Sequence, residues 1–145
     1  MKSYRPAVFI VTYRKEKNKI SYLLLKRKLH WTGWEFPKGG IENNEPEMMT
    51  VKRECKEETG QKPASITGFP YSGKYKYNKK LEDRPNFKGQ TWSLFAAEIK
   101  NEKIKFDKKE HSDYQWLEFE KAKEKLTFPN QRKCLEIVNK ELKII

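Results

Sequence analysis

Runs of apolar residues separated by short charged segments predict β-strands over much of this chain. Residues 7–13 read AVFIVTY, a β-branched run typical of a strand buried on both faces. The charged residues 15–19 predict a hairpin turn around Asn18, and residues 20–26 return as a second strand. Residues 89–99 predict another central strand, and residues 110–117 begin acidic and continue as an aromatic strand. Tyrosines alternate with lysines in residues 63–80, which predicts a strand through Tyr71, Tyr75 and Tyr77, followed by a loop over residues 81–88.

Apolar residues at helical spacing, rather than in the continuous or alternating runs of strands, predict three helices. The first covers about thirteen residues between Pro46, which suits a helix start, and Gly60, which suits a left-handed end. Its apolar stripe of Met48, Val51 and Cys55 is expected to pack on the sheet, with the acidic face outward. Residues 118–126 predict a short helix, and residues 131–142 a final helix capped by Asn130, with Cys134, Ile137, Val138 and Leu142 as its apolar stripe. This order of elements predicts an α/β fold with a mixed sheet and helices on both sides.

The acidic face of the first helix is the strongest chemical signal in the sequence. Glu54, Glu57 and Glu58 stand at positions i, i+3 and i+4, so their carboxylates share one side of the helix and repel one another. A divalent cation with oxygen ligands would relieve that repulsion. The alternative is a solvated helix in which Lys52 and Lys56 supply ordinary charge pairs.

The residues before this helix favour the interpretation as a cation-binding site. Residues 34–42 read WEFPKGGIE, and two adjacent glycines let the backbone approach a ligand closely. From Gly39 to Gly60 the spacing is G-x5-E-x7-R-E-x2-E-E-x-G, which resembles the Nudix box. Two positions that are usually apolar carry Cys55 and Gln61. Cysteine serves there as a small hydrophobe, and both departures bear on packing only.

The resemblance implies a Nudix-type α/β/α sandwich that hydrolyses a nucleoside diphosphate linked to another group, with Mg²⁺ or Mn²⁺ as cofactor. It implies that Glu54, Glu57 and Glu58 are metal ligands, joined by a backbone carbonyl in the turn at Lys38 and Gly39. It also implies a structural ion pair between Glu45 and Arg53 that ties the loop to the helix. Arg53 is therefore included among the candidate catalytic residues.

Further segments resemble two subfamilies, the asymmetric diadenosine tetraphosphate hydrolases and the bacterial RNA 5′-pyrophosphohydrolases. These segments are residues 4–6, the run 34–40, residues 89–92 and the spacing from Glu110 to Trp116. By this resemblance Glu110 assists at the metal site, and the candidate catalytic bases are Glu57, Glu58 and Glu110. The resemblance also places four residues around the substrate, namely Lys38, Tyr77, Gln90 and, at the base pocket, Phe128. Arg27, at the end of a predicted strand, is placed to meet phosphate or is simply a surface charge.

Three functions follow as hypotheses. The first is a dinucleoside polyphosphate hydrolase that converts diadenosine tetraphosphate into ATP and AMP. The second is an RNA 5′-pyrophosphohydrolase that acts on 5′-triphosphorylated RNA. The third is a nucleic-acid-binding Nudix module without catalysis, against which the intact acidic triad argues.

Composition adds limits to this interpretation. The 145 residues suit a single domain spanning positions 1–145, expected as a monomer or weak dimer. The net charge of +12 suits binding to nucleotides or RNA, although a lysine-rich solvated surface is equally consistent with it.

No apolar run is long enough to span a membrane, and the first residues do not resemble a signal peptide, so a cytoplasmic protein is expected. Cys55 and Cys134 are expected to be buried thiols, and two histidines are too few and too scattered for a zinc site.

Overall fold

The computed structural model describes residues 2–144, which form seven strands and three helices. The strands are β1 (Ser3–Glu16), β2 (Lys19–Arg27), β3 (Gly33–Glu35), β4 (Lys38–Gly40), β5 (Ser65–Lys76), β6 (Phe87–Glu98) and β7 (His111–Leu117). The helices are α1 (Glu47–Thr59), α2 (Phe119–Lys125) and α3 (Pro129–Ile144). Every predicted strand and helix is therefore present, with ends shifted by a few residues.

The strands form one mixed sheet in the order β3-β2-β1-β6-β5. β1 lies at its centre, parallel to β6 and antiparallel to β2. The short strand β4 pairs with β1, and β7 pairs with β2, both antiparallel. Every residue of β1 from 7 to 13 is buried, as the uninterrupted apolar run predicted.

Helices cover both faces of this sheet, which confirms the predicted α/β/α architecture. One core lies between the sheet and helices α2 and α3, where Phe9 stacks on Trp92 with ring centroids 4.5 Å apart. A smaller core lies under α1, where Val51 and Cys55 pack on Val8. Successive residues of β1 point to opposite faces, so the strand contributes to both cores.

Three local predictions were wrong. Met48 is 43% exposed, because only Val51 and Cys55 of the predicted stripe reach the sheet. Asn130 does not cap the last helix, since α3 begins one residue earlier, at Pro129. The segment after Pro37 is not simply a turn, because residues 38–40 hydrogen-bond to β1 as strand β4.

Other features agree with expectation. Cys55 and Cys134 are both buried free thiols. Gln61, the departure from the usual apolar box position, has a structural partner: its side-chain amide donates to the carbonyls of Asn101 and Lys103. Between residues 2 and 144, no helix is long and apolar enough to cross a membrane.

Candidate active site

Arg53 connects helix α1 to the loop that precedes it. Its guanidinium donates to both carboxylate oxygens of Glu45, at 3.0 and 2.9 Å, and to the carbonyl of Gly40 at 2.8 Å. A further donor lies 2.8 Å from the Glu54 carboxylate. Hydrogen bonds from Arg53 and Thr50 lower the pKa of Glu45 to about 2. The predicted ion pair between Glu45 and Arg53 is therefore present, and it fixes loop 41–46 against the helix.

Two of the three carboxylates on the acidic face of α1 are buried, whereas the prediction had this face outward. Glu54 is 7% exposed and Glu58 only 2%, whereas Glu57 lies in solvent. The Glu54 carboxylate packs directly on Gly39, where a Cβ atom would overlap it. Glycine at position 39 therefore allows β4 to lie against this carboxylate.

Burial and like charge make this acidic face electrostatically unfavourable. Desolvation, together with the neighbouring Glu57 and Glu58, raises the pKa of Glu54 to about 8, although Arg53 opposes the shift. Desolvation also raises the pKa of Glu58 to about 7, with His111 opposing and Glu110 adding to the shift. Two neighbouring carboxyls whose pKa values are raised to neutrality or above are typical of a site that binds a cation.

A third buried carboxylate, which the sequence pattern did not predict, lies beneath the acidic face. Glu35, at the end of β3, is fully buried. Its oxygens lie 3.2 Å from Arg27, 2.9 Å from His111 Nε2 and 3.6 Å from Lys38 Nζ. Desolvation works against its charge, but Lys38, His111 and Arg27 outweigh that effect and lower its pKa to about 2. Glu35 is thus a buried anion with three cationic partners.

His111 joins this network to the acidic helix. Its Nδ1 lies 3.0 Å from Glu58 Oε2, although the two atoms do not meet hydrogen-bond angles, and both lack an aligned partner. Burial opposes its charge, but the carboxylates of Glu35 and Glu58 outweigh burial and raise the pKa of His111 to about 9. Sequence reasoning set the histidines aside as scattered, because nothing in the chain order shows that His111 meets Glu58.

Glu110 reaches the same place from the loop before β7. One carboxylate oxygen lies 3.5 Å from Arg27, and the side chain is 32% exposed. Ligand atoms of Glu58, Glu110 and His111 all lie within 4.8 Å of one another. Glu110 therefore lies beside the acidic helix, and its part at a metal site stays a prediction.

The residues present fit a divalent cation. Glu58 Oε2 is buried without an aligned hydrogen bond, and the donors on α1 are hard carboxylate oxygens. Glu57 and Glu110 add carboxylates that are still open to solvent. Lys38, whose backbone carbonyl the resemblance implied as a ligand, lies in β4 next to Gly39 and thus beside Glu54.

An aromatic pocket of about 410 Å³ opens beside this site. Trp31 and Phe128 form one wall, with ring centroids 6.5 Å apart in an edge-to-face arrangement. Tyr75 and Tyr77 also line the pocket, and Lys38 Nζ is 4.5 Å from the centroid of the Trp31 ring. Lys38, Tyr77 and Phe128, three of the predicted substrate residues, therefore line one cavity. Trp31 and the buried Leu81 also line it and were not predicted.

The other two predicted substrate residues lie deeper. Arg27 is 3% exposed, pairs with Glu35 and sits under the Trp31 ring, 4.8 Å from its centroid. Gln90 is 2% exposed, and its carbonyl oxygen accepts hydrogen bonds from Tyr77 and Arg84 at 3.0 Å each. A direct contact of either residue with phosphate would require the side chain to leave these partners.

Comparison with known proteins places this site in a family. The family model described as NUDIX domain matches residues 3–136. The chain therefore belongs to the Nudix family, and it is a hydrolase of phosphoanhydrides.

Similar proteins carry two different activity names, and a solved structure shares the fold. An RNA pyrophosphohydrolase of a Nitratiruptor species is 34% identical, with 97% of this chain and 96% of that protein aligned. The asymmetrical bis(5′-nucleosyl)-tetraphosphatase of Mus musculus is 27% identical over 83% of this chain and 80% of its own length. A binary complex of a C. elegans Ap4A hydrolase shares the fold, with a TM-score of 0.79 and 23% identity over 97% of this chain and 99% of that one.

Proposed function

We propose that this protein is a cation-dependent hydrolase of a nucleotide 5′-polyphosphate whose base occupies the aromatic pocket. The observation that carries the proposal is the position of Lys38. Its backbone lies in β4 beside the Glu54 carboxylate, while its ammonium group faces the aromatic rings of the pocket. A base in the pocket would thus bring the attached phosphates past Lys38 to the acidic helix.

The first substrate we propose is the 5′ end of triphosphorylated RNA, with pyrophosphate removed. Support comes from the Nitratiruptor relative, which aligns over nearly the whole chain, and from a second RNA pyrophosphohydrolase, of a Sulfurovum species, 27% identical over 98% of this chain. The net charge of +12 also favours a polyanionic substrate. These points reverse the order in which sequence analysis placed the two substrates.

Diadenosine tetraphosphate is the second candidate. The mouse relative, which aligns over most of this chain, bears a name that indicates this activity. The pocket accepts one base in either case, so the two substrates differ in the group attached to the far end of the polyphosphate.

In the proposed mechanism, Glu54, Glu57 and Glu58 would hold Mg²⁺ or Mn²⁺ together with the Lys38 carbonyl. When bound, the ion neutralises the polyphosphate and lowers the pKa of a water molecule. The Lys38 ammonium group stabilises charge that develops on the phosphate oxygens. Glu110, half-buried and anchored by Arg27, is our candidate for the base that removes the proton from the attacking water.

Product analysis with Mg²⁺ tests the proposal on two substrates side by side, a short 5′-triphosphorylated RNA and diadenosine tetraphosphate. We expect faster release of pyrophosphate from the RNA than of ATP and AMP from the dinucleotide. The opposite order of rates would assign the protein to the second candidate. Hydrolysis of neither substrate would contradict the proposal.

A variant tests the assignment of the pocket. Changing Phe128→Ala should raise KM for either substrate by roughly 5- to 100-fold, the range that corresponds to the loss of one base–aromatic contact. Phe106→Ala is a matched control, because Phe106 is also half-buried but contacts Tyr114 outside the pocket. Equal KM values for the two variants would contradict a base in this cavity.

A further inference from the structure

Glu35 is the one fully buried carboxylate of residues 2–144, and the proposed mechanism does not use it. It lies in β3, outside the Nudix box and outside the wall of the pocket. Burying an ionised carboxylate is costly unless the surrounding groups compensate for it. The arrangement of those groups indicates what Glu35 does.

One connection runs from Glu35 through an imidazole to the acidic helix. His111 Nε2 is 2.9 Å from Glu35 Oε2, and His111 Nδ1 is 3.0 Å from Glu58 Oε2. The ring therefore spans two buried carboxylates, one on β3 and one on α1. Because His111 is itself buried, its ring cannot turn without breaking both contacts.

A second connection runs from Glu35 through a guanidinium to Glu110. Arg27 NH1 is 3.2 Å from Glu35 Oε2 and 3.5 Å from Glu110 Oε2. Arg27 is held in place by the Leu29 carbonyl, which accepts its Nε–H at 2.8 Å, and by the Trp31 ring. Glu35 is thus separated from Glu58 by one buried side chain, His111, and from Glu110 by another, Arg27.

An irregularity in the sheet positions His111 for the first connection. Where β7 pairs with β2, the register shifts so that Lys26 faces Asp113 while Arg27 faces His111. The extra residue, Ser112, is a bulge, and bulges re-aim neighbouring side chains. Because of this shift His111, rather than Ser112, faces Arg27, which puts the imidazole on the same face of the sheet as Arg27 and Glu35.

We propose that Glu35 is a positioning residue that, through His111 and Arg27, holds Glu58 and Glu110 in the arrangement that binds the cation. This inference rests on the proposed function, because it assumes that Glu58 contributes to a cation site. Glu58 and Glu110 would otherwise repel each other, and their contacts with His111 and Arg27, which Glu35 fixes in turn, hold the two side chains in place before an ion binds. Partners of this kind orient the groups that hold a metal, and their loss commonly weakens affinity 10- to 100-fold.

Binding of Mn²⁺ to the protein alone, followed by electron paramagnetic resonance of the free ion, tests this role without any substrate. We expect Glu35→Gln and His111→Gln each to raise the Mn²⁺ dissociation constant by roughly 10- to 100-fold. His30→Gln is the matched control, because His30 also pairs with a carboxylate, that of Asp83 at 3.0 Å, but lies away from Glu58. The control should bind Mn²⁺ as the unmodified protein does.

Affinities are expressed per folded protein, with the folded fraction taken from circular dichroism, so that a loss of stability alone does not count as support. If Glu35→Gln does not fold, the Mn²⁺ affinity of His111→Gln tests the connection instead, because this variant retains every carboxylate. Unchanged Mn²⁺ affinity in the folded variants would overturn the proposal.

Glu58→Gln separates this proposal from the proposed function. If it weakens Mn²⁺ binding and the Glu35 and His111 variants do not, the positioning role is wrong while the cation site stands. If Glu58→Gln also leaves binding unchanged, the cation site itself is wrong, and the positioning role falls with it.

Discussion

Replacing Glu54 with glutamine should stabilise the metal-free protein at high pH. The same substitution should abolish the stabilisation that a bound metal ion provides. The carboxyl is 7% exposed, and burial with two neighbouring carboxylates raises its pKa from 4.5 to about 8. An acid with a raised pKa keeps its proton in the folded state after the unfolded chain has released it. Its contribution to stability is therefore fully present below about pH 4.5 and is lost as pH rises towards 8.

The expected change in the free energy of unfolding follows from the shift in the pKa of Glu54. Each pKa unit corresponds to about 1.4 kcal/mol, and between pH 6 and pH 9 the folded protein must ionise Glu54 against its surroundings. After partial relaxation of the site, we expect the free energy of unfolding to fall by about 2 kcal/mol more in the unmodified protein than in Glu54→Gln. For a chain of this size, that corresponds to about 5 °C in Tm.

Thermal unfolding followed by circular dichroism, in EDTA at pH 6 and pH 9, measures this difference. Glu47→Gln is the matched control, because Glu47 is an exposed carboxylate in the first turn of the same helix. Excess Mg²⁺ at pH 9 should then raise the Tm of the unmodified protein and leave that of Glu54→Gln almost unchanged. If the Tm difference between the unmodified protein and Glu54→Gln is the same at both pH values, the electrostatic reasoning is refuted.

Three further substitutions test other parts of the site. Arg53→Lys should lower the free energy of unfolding by about 1–3 kcal/mol in chemical denaturation, because one ammonium group cannot bond Glu45, Glu54 and the Gly40 carbonyl together; an unchanged midpoint would contradict this. Gly39→Ala should weaken Mn²⁺ binding at least 10-fold with the fold retained, since the new methyl group displaces the Glu54 carboxylate; normal binding would show that this carboxylate is not needed. Trp31→Ala should raise KM by roughly 5- to 100-fold, and an effect confined to kcat would argue against a base beside this ring.

Much of the fold could be predicted from local patterns. The buried strand 7–13 was recognised because an uninterrupted β-branched run has few other solutions. The first helix was bounded correctly because proline and glycine at its ends act through local backbone preferences. The spacing from Gly39 to Gly60 indicated the family, because every residue of that motif lies in one continuous stretch of 22 residues.

The burial of the site carboxylates and their partners could be determined only from the tertiary structure. Helical periodicity placed three carboxylates on one face, but only packing against β4 and β7 shows that Glu54 and Glu58 are buried while Glu57 is not. Glu35 and His111 stand 76 positions apart, and no local pattern connects them. They meet because β3 and β7 pair with opposite sides of β2, and a bulge turns His111 inward. Local preferences act over a few residues, whereas a buried charge is tolerated only where distant elements bring its partners together.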